Sequence, residues 1–321
     1  MLSLSRYRIA FTARESLDLP SYLGSTLRGA FGHVFRSIAC PAPAGRECPI
    51  PGQCPYHRIF ESSPPPGSQA LRTHEEIPRP FVIAPGWARP GDTEARTIVE
   101  PGGLLSFELV LIGRAQEFFP YFVVAFREID SLGKGRRAVE LATIEALDGK
   151  AGSPCLIYES SDNIVRGAAV PLAMSDCETA PPHDGRITIE FVTQTRLKHE
   201  GRFVRVPEFH ILFRRLLGRL SSMARFHSEE ALDVDFRGLI EKSHSVVLTH
   251  DDTKWTKLRR YSSRQGRPME WEGICGRASY KGDLAPFWPY LCFGQHIHVG
   301  HGATFGLGKF LIRDGATHWG R

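Results

Sequence analysis

The sequence predicts an α+β protein of two tandem ferredoxin-like domains, residues 1–180 and 181–321, with a Cys/Pro-rich insertion over 40–80 in the first. Three observations carry that reading. Apolar periodicity in the first half runs strand, helix, strands, helix, strand, the order of a ferredoxin-like unit. A stretch rich in turn formers, Met174 to Gly185 with Pro181 and Pro182, separates it from a second half that repeats the pattern. At 321 residues and 42% hydrophobic, the chain is long enough for two cores.

In chain order, Tyr7, Ile9 and Phe11 alternate with Arg6, Arg8 and Ala10, which predicts a first strand over Leu4 to Arg14. Pro20 and Ser21 are expected to open a helix whose buried stripe is Leu27, Ala30, Phe31, Val34 and Ile38. Thr26, Gly29, His33 and Arg36 then share the opposite face, with His33 beside Arg36. Tyr22 falls near the azimuth of His33 if the helix begins that early. The insertion follows, with Cys40, Cys48, Cys54 and His57 spaced C-x7-C-x5-C-x2-H. Those four ligand types suit a tetrahedral structural zinc that pins a loop poor in core residues, and they equally suit reduced thiols in a surface loop. Strands are predicted over Phe81 to Ala84, Leu104 to Ile112, Val139 to Ala146 and Leu156 to Tyr158. Phe119, Phe122, Val123 and Phe126 predict an amphipathic helix over Phe118 to Leu132.

In the second half, Ile187, Ile189 and Phe191 begin a strand expected to continue toward Val206. Pro207 starts a long helix to about Phe226, with Arg214, Arg215, Arg219 and Arg225 on its exposed side. Lys254 to Arg267 holds six cations and no acid, namely Lys254, Lys257, Arg259, Arg260, Arg264 and Arg267, with Trp255 and Tyr261 between them. Cations engage phosphates and rings stack on splayed bases, so this stretch reads as a surface for single-stranded or hairpin RNA, or as an exposed basic hairpin packed by Trp255. A strand over Glu270 to Tyr280 and a short helix over Leu284 to Leu291 complete the pattern before a final strand.

Charge is distributed unevenly. Residues 185–321 hold 22 of the 40 Lys+Arg and 14 of the 35 Asp+Glu, a net +8, against a net −3 for the rest. That asymmetry points to a polyanionic partner for the second half. Arg6, Arg8, Arg14 and Glu15 interrupt the N-terminus, which therefore does not read as a signal peptide, and no apolar run is long enough to span a bilayer. Seven scattered cysteines fit a reducing cytoplasm, where the chain is expected.

The last glycine-rich stretch, Phe293 to Phe310, holds Gly294, Gly300, Gly302, Gly306 and Gly308 together with His296, His298, His301 and Lys309. It is neither a dinucleotide fingerprint nor a P-loop. Phe305 stands where the third glycine of the first belongs, and Ala303 and Phe310 where the second needs glycine and a hydroxyl. Its pattern is G-x-G-x-x-x-G-x-G-K. With "RRYSSRQGRPMEWEGICGRASYKGDLAPFWPYL" over 259–291 and "HVGHGATFGLGKF" over 298–310, it resembles the C-terminal domain of the CRISPR-associated RAMP endoribonucleases that process precursor guide RNA. "LRGAFGHVFR" in the first helix resembles the same family. The family position between Gly300 and Gly302 is usually basic, and this chain has His301 there.

The resemblance implies two RRM-like domains of the RAMP type. It also implies cleavage within CRISPR repeats to leave a 2′,3′-cyclic phosphate and a 5′-hydroxyl, with no metal required. The partner is then repeat RNA in precursor transcripts, with a CRISPR effector complex as a further partner and no membrane. A histidine in or near the first helix commonly serves in that family, which places His33 as base or acid, His298 and His301 as rivals, Arg36 or Lys309 on the phosphate, and Tyr22 as an orienting group. Arg28, Lys254, Lys257, Arg259, Arg260, Arg264, Gly300, Gly302, Gly306, Gly308 and Lys309 are the expected RNA contacts. A non-cleaving RNA-binding subunit of the same family and a zinc protein of unrelated role are the alternatives.

Overall fold

The computed structural model describes residues 1–321 except 44–45, 62–76, 87–95, 134, 148–152, 178–179, 263–266 and 314–321; for 259–262 and 267–269 it describes the backbone alone. The N-terminal half is laid out on β1 (Ser3–Ala13), followed by α1 (Gly24–Ala39) and the short α2 (Pro55–Phe60). Then come β2 (Phe81–Pro85), β3 (Leu104–Ile112), α3 (Phe119–Arg127) and β4 (Arg137–Ala146). The antiparallel sheet runs β2–β3–β1–β4 and continues into Cys155–Glu159 and Ile164–Val165.

The C-terminal half has β5 (Arg186–Thr195), a two-stranded ribbon of β6 (Lys198–His199) and β7 (Arg202–Phe203), and α4 (Phe209–His227). It ends with the long hairpin of β8 (Val247–Ser262) and β9 (Arg267–Lys281), then α5 (Trp288–Ile297) and β10 (Phe310–Arg313). Its sheet runs β8–β9–β5–β10. In each half the four principal strands therefore lie in spatial order second, third, first, fourth, with a helix after the first and another after the third. That is the ferredoxin-like arrangement, twice over.

Strand alternation joins the halves. Tyr7, Ile9 and Phe11 of β1, Phe81 and Ile83 of β2, and Phe107, Leu109 and Leu111 of β3 face α1 and α3 in one core. The other parity, Leu4, Val82, Ala84, Val110 and Ile112, enters a second core with α4 and α5. Both faces of the first sheet are thus apolar at β2 and β3, because the second half lays its helices on the back of it. A smaller cluster of Tyr22, Leu258 and Leu307, with Trp271 against it, fills the seam near the N-terminal end of α1.

The first half differs from the sequence expectation at three points. Pro20 closes a short strand, Leu17–Pro20, and α1 begins only at Gly24, so Tyr22 precedes the helix. On α1 the buried set includes Phe35, while Ile38 is 37% exposed, which rotates the apolar face toward Phe60 of α2. The helix expected over 118–132 ends at Arg127, and Ser131–Leu132 pairs with β4.

Candidate functional site

The site is assembled from the seam outward. α5 extends to Ile297, so Gly294 and His296 are helical, and a Cβ at Gly294 would meet Leu216 of α4 at 2.7 Å. The glycine-rich loop proper starts at His298, and its four glycines, Gly300, Gly302, Gly306 and Gly308, have φ of 81°, 83°, 83° and 69°. At Gly308 a Cβ would run into the Val299 carbonyl, where Val299 N–H donates back to Gly308 O at 2.9 Å. At Gly306 it would meet the Tyr22 hydroxyl at 2.7 Å and the Ile83 carbonyl at 2.8 Å. Positive φ and backbone passing backbone leave only glycine at both positions.

The loop docks on the first half. Tyr22 O–H donates to Phe305 O at 2.7 Å, and the Phe305 carbonyl lies against Gly24 at the start of α1. The Arg28 guanidinium covers the Phe305 ring at 4.3 Å, and Trp271 meets the same ring edge-on at 4.8 Å. His298 is 2% exposed, its Nδ1 hydrogen-bonded with Leu307 O at 3.1 Å. Burial pushes its imidazole down to about 3, so it is neutral and structural near pH 7. Lys309 lies in the field of Glu108, whose carboxyl, paired with Arg6 Nε at 2.7 Å, is held near 2 against the desolvation that opposes it. Arg219 of α4, expected on the surface, instead donates through Nε to Ile297 O at 3.0 Å.

Beside the loop, sequence reasoning missed a surface. The strand expected to run to Val206 breaks after Thr195 into the β6–β7 ribbon, turned by Glu200 and Gly201 at φ of 47° and 81°. Buried Leu197 anchors it, while Lys198, Arg202, Phe203 and Arg205 are exposed. The Arg196 guanidinium lies 4.1 Å from the Phe203 ring, and the exposed His301 ring meets Phe203 edge-on at 5.6 Å. Nε of Arg196 and Nε of Arg215 on α4 are buried with no hydrogen-bond partner among the described residues. Partial desolvation, and then Arg196, Lys198 and Arg215, hold His301 below the usual imidazole range. A neutral imidazole, an exposed ring and three cations therefore share one face. The turn dipeptide Glu200-Gly201 between Lys198 and Phe203 was the sequence signal for it.

The other expected residues are distributed as follows. His33 is exposed on α1, opposite its buried face, nine residues or about 13 Å along the axis from Gly24. Arg36 points elsewhere, its guanidinium 5.4 Å from the Tyr56 ring and lining a pocket with Cys48, His57 and Glu61. Tyr22 is 5% exposed and committed to Phe305, so it seats the loop rather than orienting RNA. Lys254 and Lys257 are exposed on β8, Lys257 near Glu270 at 3.5 Å. Trp255 is less free than expected, because its indole N–H donates to Glu272 at 2.8 Å and Arg205 lies over its ring. Arg259 and Arg260 belong to the backbone of β8, and Arg264 lies outside the described residues. Cys40, Cys48 and Cys54 converge, their thiols all within 4.8 Å of one another, with His57 outside that group.

A family model described as CRISPR-associated endoribonuclease Cas6 matches residues 189–310, and another, described as an N-terminal domain, matches 2–170. Residues 189–310 thus match the CRISPR-associated Cas6 endoribonuclease family, and the whole chain shares the fold of solved Cas6 structures. A Cas6 product complex superposes on it with a TM-score of 0.57 at 16% identity, over 97% of this chain and 100% of that one. Thermus thermophilus Cas6 gives 0.55 at 14%, over 98% and 99%. A Cas6-RT-Cas1–Cas2 complex gives 0.57 at 13%, over all of this chain and 30% of that one. An uncharacterized protein of Archaeoglobus fulgidus is 24% identical over 309 residues, 92% of this chain and 93% of its own. Within the Cas6 family reading, the docked loop is the joint between the two ferredoxin-like halves, and the basic face at His301 is the surface beside that joint. Among the described residues no helix is long and apolar enough to cross a membrane.

Proposed function

We propose that this chain cuts CRISPR precursor transcripts within their repeats, by attack of a 2′-hydroxyl on the adjacent phosphate, leaving a 2′,3′-cyclic phosphate and a 5′-hydroxyl. The observation that supports it most is the face where His301, kept neutral, stands among Arg196, Lys198 and Arg215 beside the exposed Phe203 ring. Guanidinium groups bind phosphate oxygens, and a ring beside them offers a base a place to stack. Lys254 and Lys257 on β8 extend the cationic surface.

Cleavage needs a base for the 2′-hydroxyl, an acid for the leaving 5′-oxygen and positive charge on the phosphorane. His33 is assigned the proton transfer. It stands free on the helix whose first turn carries the docked loop, and burial removes His298 from that role. His301 and its cations hold the RNA backbone flanking the cut. Catalysis in this reading takes place without a metal in the cytoplasm, zinc in the insertion has a structural role alone, and the RNA product is handed to a CRISPR effector complex.

Single-turnover cleavage of repeat RNA at saturating protein in EDTA tests the assignment. His33→Ala is expected to lose roughly 10²–10⁴-fold in rate with affinity unchanged, and His301→Ala to weaken binding. Loss of rate in His301→Ala alone, at normal binding, would move the proton chemistry to the second half. A wild-type chain that binds repeat RNA tightly and leaves it intact is a non-cleaving subunit.

A further inference from the structure

The insertion after α1 is fastened in two ways. Phe60 of α2 packs on Phe31, Phe35 and Phe81, and a Cβ at Gly32 of α1 would touch its ring at 3.1 Å. At the other end three thiols meet. Cys40 is the residue on which α1 ends, Cys54 the one from which α2 starts, and Cys48 lies in the loop between. Cys54 is fully buried and Cys48 9% exposed. Cys54 Sγ lies 3.5 Å from Ala39 O, the last carbonyl of α1, with the backbone of Tyr56 and His57 and the other two thiols around it.

We propose that Cys40, Cys48, Cys54 and Nδ1 of His57 bind one zinc ion that staples α2 to the end of α1. The donor set is that of a structural Cys₃His site. Zn–S bonds of about 2.3 Å in a tetrahedron set the sulfurs about 3.8 Å apart, so thiols already within 4.8 Å close on the ion with side-chain movements of about an ångström. His57 supplies the fourth ligand from the first turn of α2. Its Nε2 faces Glu61 Oε2 at 3.4 Å, one turn along the helix, and Tyr56 O–H donates to the other Glu61 oxygen at 3.3 Å. A carboxylate on Nε2 leaves the Nδ1 lone pair for the metal, as outer partners of zinc-bound histidines do, and Glu61, one turn along, follows the ring as it turns. His57 shares a pocket wall with Cys48, and turning its ring toward the thiols is the largest movement the site requires. The site lies at the C-terminal end of α1, seven residues beyond His33 and beside the pocket that Arg36 lines, and its role is to hold the insertion.

Elemental analysis of chain purified without chelator, with thiols kept reduced, is expected to give about one zinc per molecule. Cys48→Ser and Cys54→Ser are expected to lose it, and Cys155→Ser, whose thiol is exposed elsewhere, to keep it. His57→Gln keeps three thiolates and binds about 10- to 100-fold more weakly. Because cysteine variants in this insertion can fail to fold, the wild-type chain is also loaded with Co²⁺. Intense thiolate-to-cobalt absorption is expected, together with a lower melting temperature after chelation. No metal in the purified chain and no thiolate band with Co²⁺, or a Cys40–Cys54 disulfide found by mass spectrometry under reducing purification, would overturn the proposal. None of these readouts depends on RNA cleavage.

Discussion

The glycine-rich loop and the β6–β7 ribbon lie against each other and divide the work in a way that inverts their appearance in the sequence. The loop has the glycines, the histidines and the lysine that advertise an anion cradle. In the fold it is largely interior. His298 is buried, Lys309 lies in the field of Glu108, and Gly306 and Gly308 exist because Tyr22, Ile83 and Val299 pass too close for any side chain. The ribbon looks like the end of a strand, yet it carries the exposed Lys198, Arg202, Phe203 and Arg205, and Arg196 leads into it. Among the loop's candidates, His301 meets Phe203 on that surface and Gly300 passes close to the Arg196 backbone. Glycine enrichment reports close backbone approach, and whether the approaching group is a ligand or another part of the chain is decided by what stands opposite.

If the loop is a joint, breaking it costs stability before it costs RNA contact. The largest effect is expected for Gly308→Ala, where a left-handed φ and the Val299 carbonyl both oppose a Cβ. A loss of about 2–4 kcal/mol in urea unfolding is predicted. Full stability with weakened RNA binding would return the loop to the role of a cradle.

The next prediction uses the buried histidines. His298, near 3, and His227, near 4 and bonded with Pro78 O at 2.7 Å, are neutral in the folded chain, whereas both ionise near 6.5 once unfolded. A lowered folded value means the unfolded state takes up protons first as pH falls. Their contribution is therefore fully present above 6.5 and is lost as pH drops through that value toward 4, by up to about 1.4 kcal/mol per pH unit for each group. Glu108, held near 2, keeps its contribution until pH falls below about 4.5. Unfolding measured from pH 7 to 5 should show this slope, and His298→Gln should flatten it. An unchanged slope in that variant would mean His298 is not held neutral.

A smaller effect is expected at Tyr22. Tyr22→Phe removes the bond to Phe305 O and should cost about 1 kcal/mol, with cleavage within about threefold of wild type. A large loss of rate at normal stability would restore Tyr22 as a group that orients RNA.

Much of the fold was legible because its signal is local. Tyr7, Ile9 and Phe11 announced β1, and Leu27 and Phe31 announced the buried face of α1, which left His33 correctly on the outside. Of the four residues read as a zinc site or as surface-loop thiols, Cys40, Cys48 and Cys54 meet and His57 lies outside their group. What the sequence hid is non-local. Tyr22 looked like a neighbour of His33 because nothing nearby says that Leu17–Pro20 is a strand and that α1 waits until Gly24. Arg36 looked like a partner of His33 until α2 offered it Tyr56. His298 gives no sign in its own segment that the Leu307 carbonyl will take its ring nitrogen. The ribbon was hidden by a two-residue turn without the usual asparagine or aspartate.

The central claim is that the ribbon and His301, and not the glycine-rich loop beneath them, meet the RNA backbone. The most direct measurement is the salt dependence of repeat-RNA affinity for two variants, Arg196→Ala/Arg215→Ala and Lys309→Ala. Removing one cation from a phosphate should reduce the log–log slope by about 0.7–0.9. The double variant should show a slope lower by about 1.4–1.8, and Lys309→Ala the wild-type slope. A wild-type slope in the double variant together with a reduced slope in Lys309→Ala would contradict it.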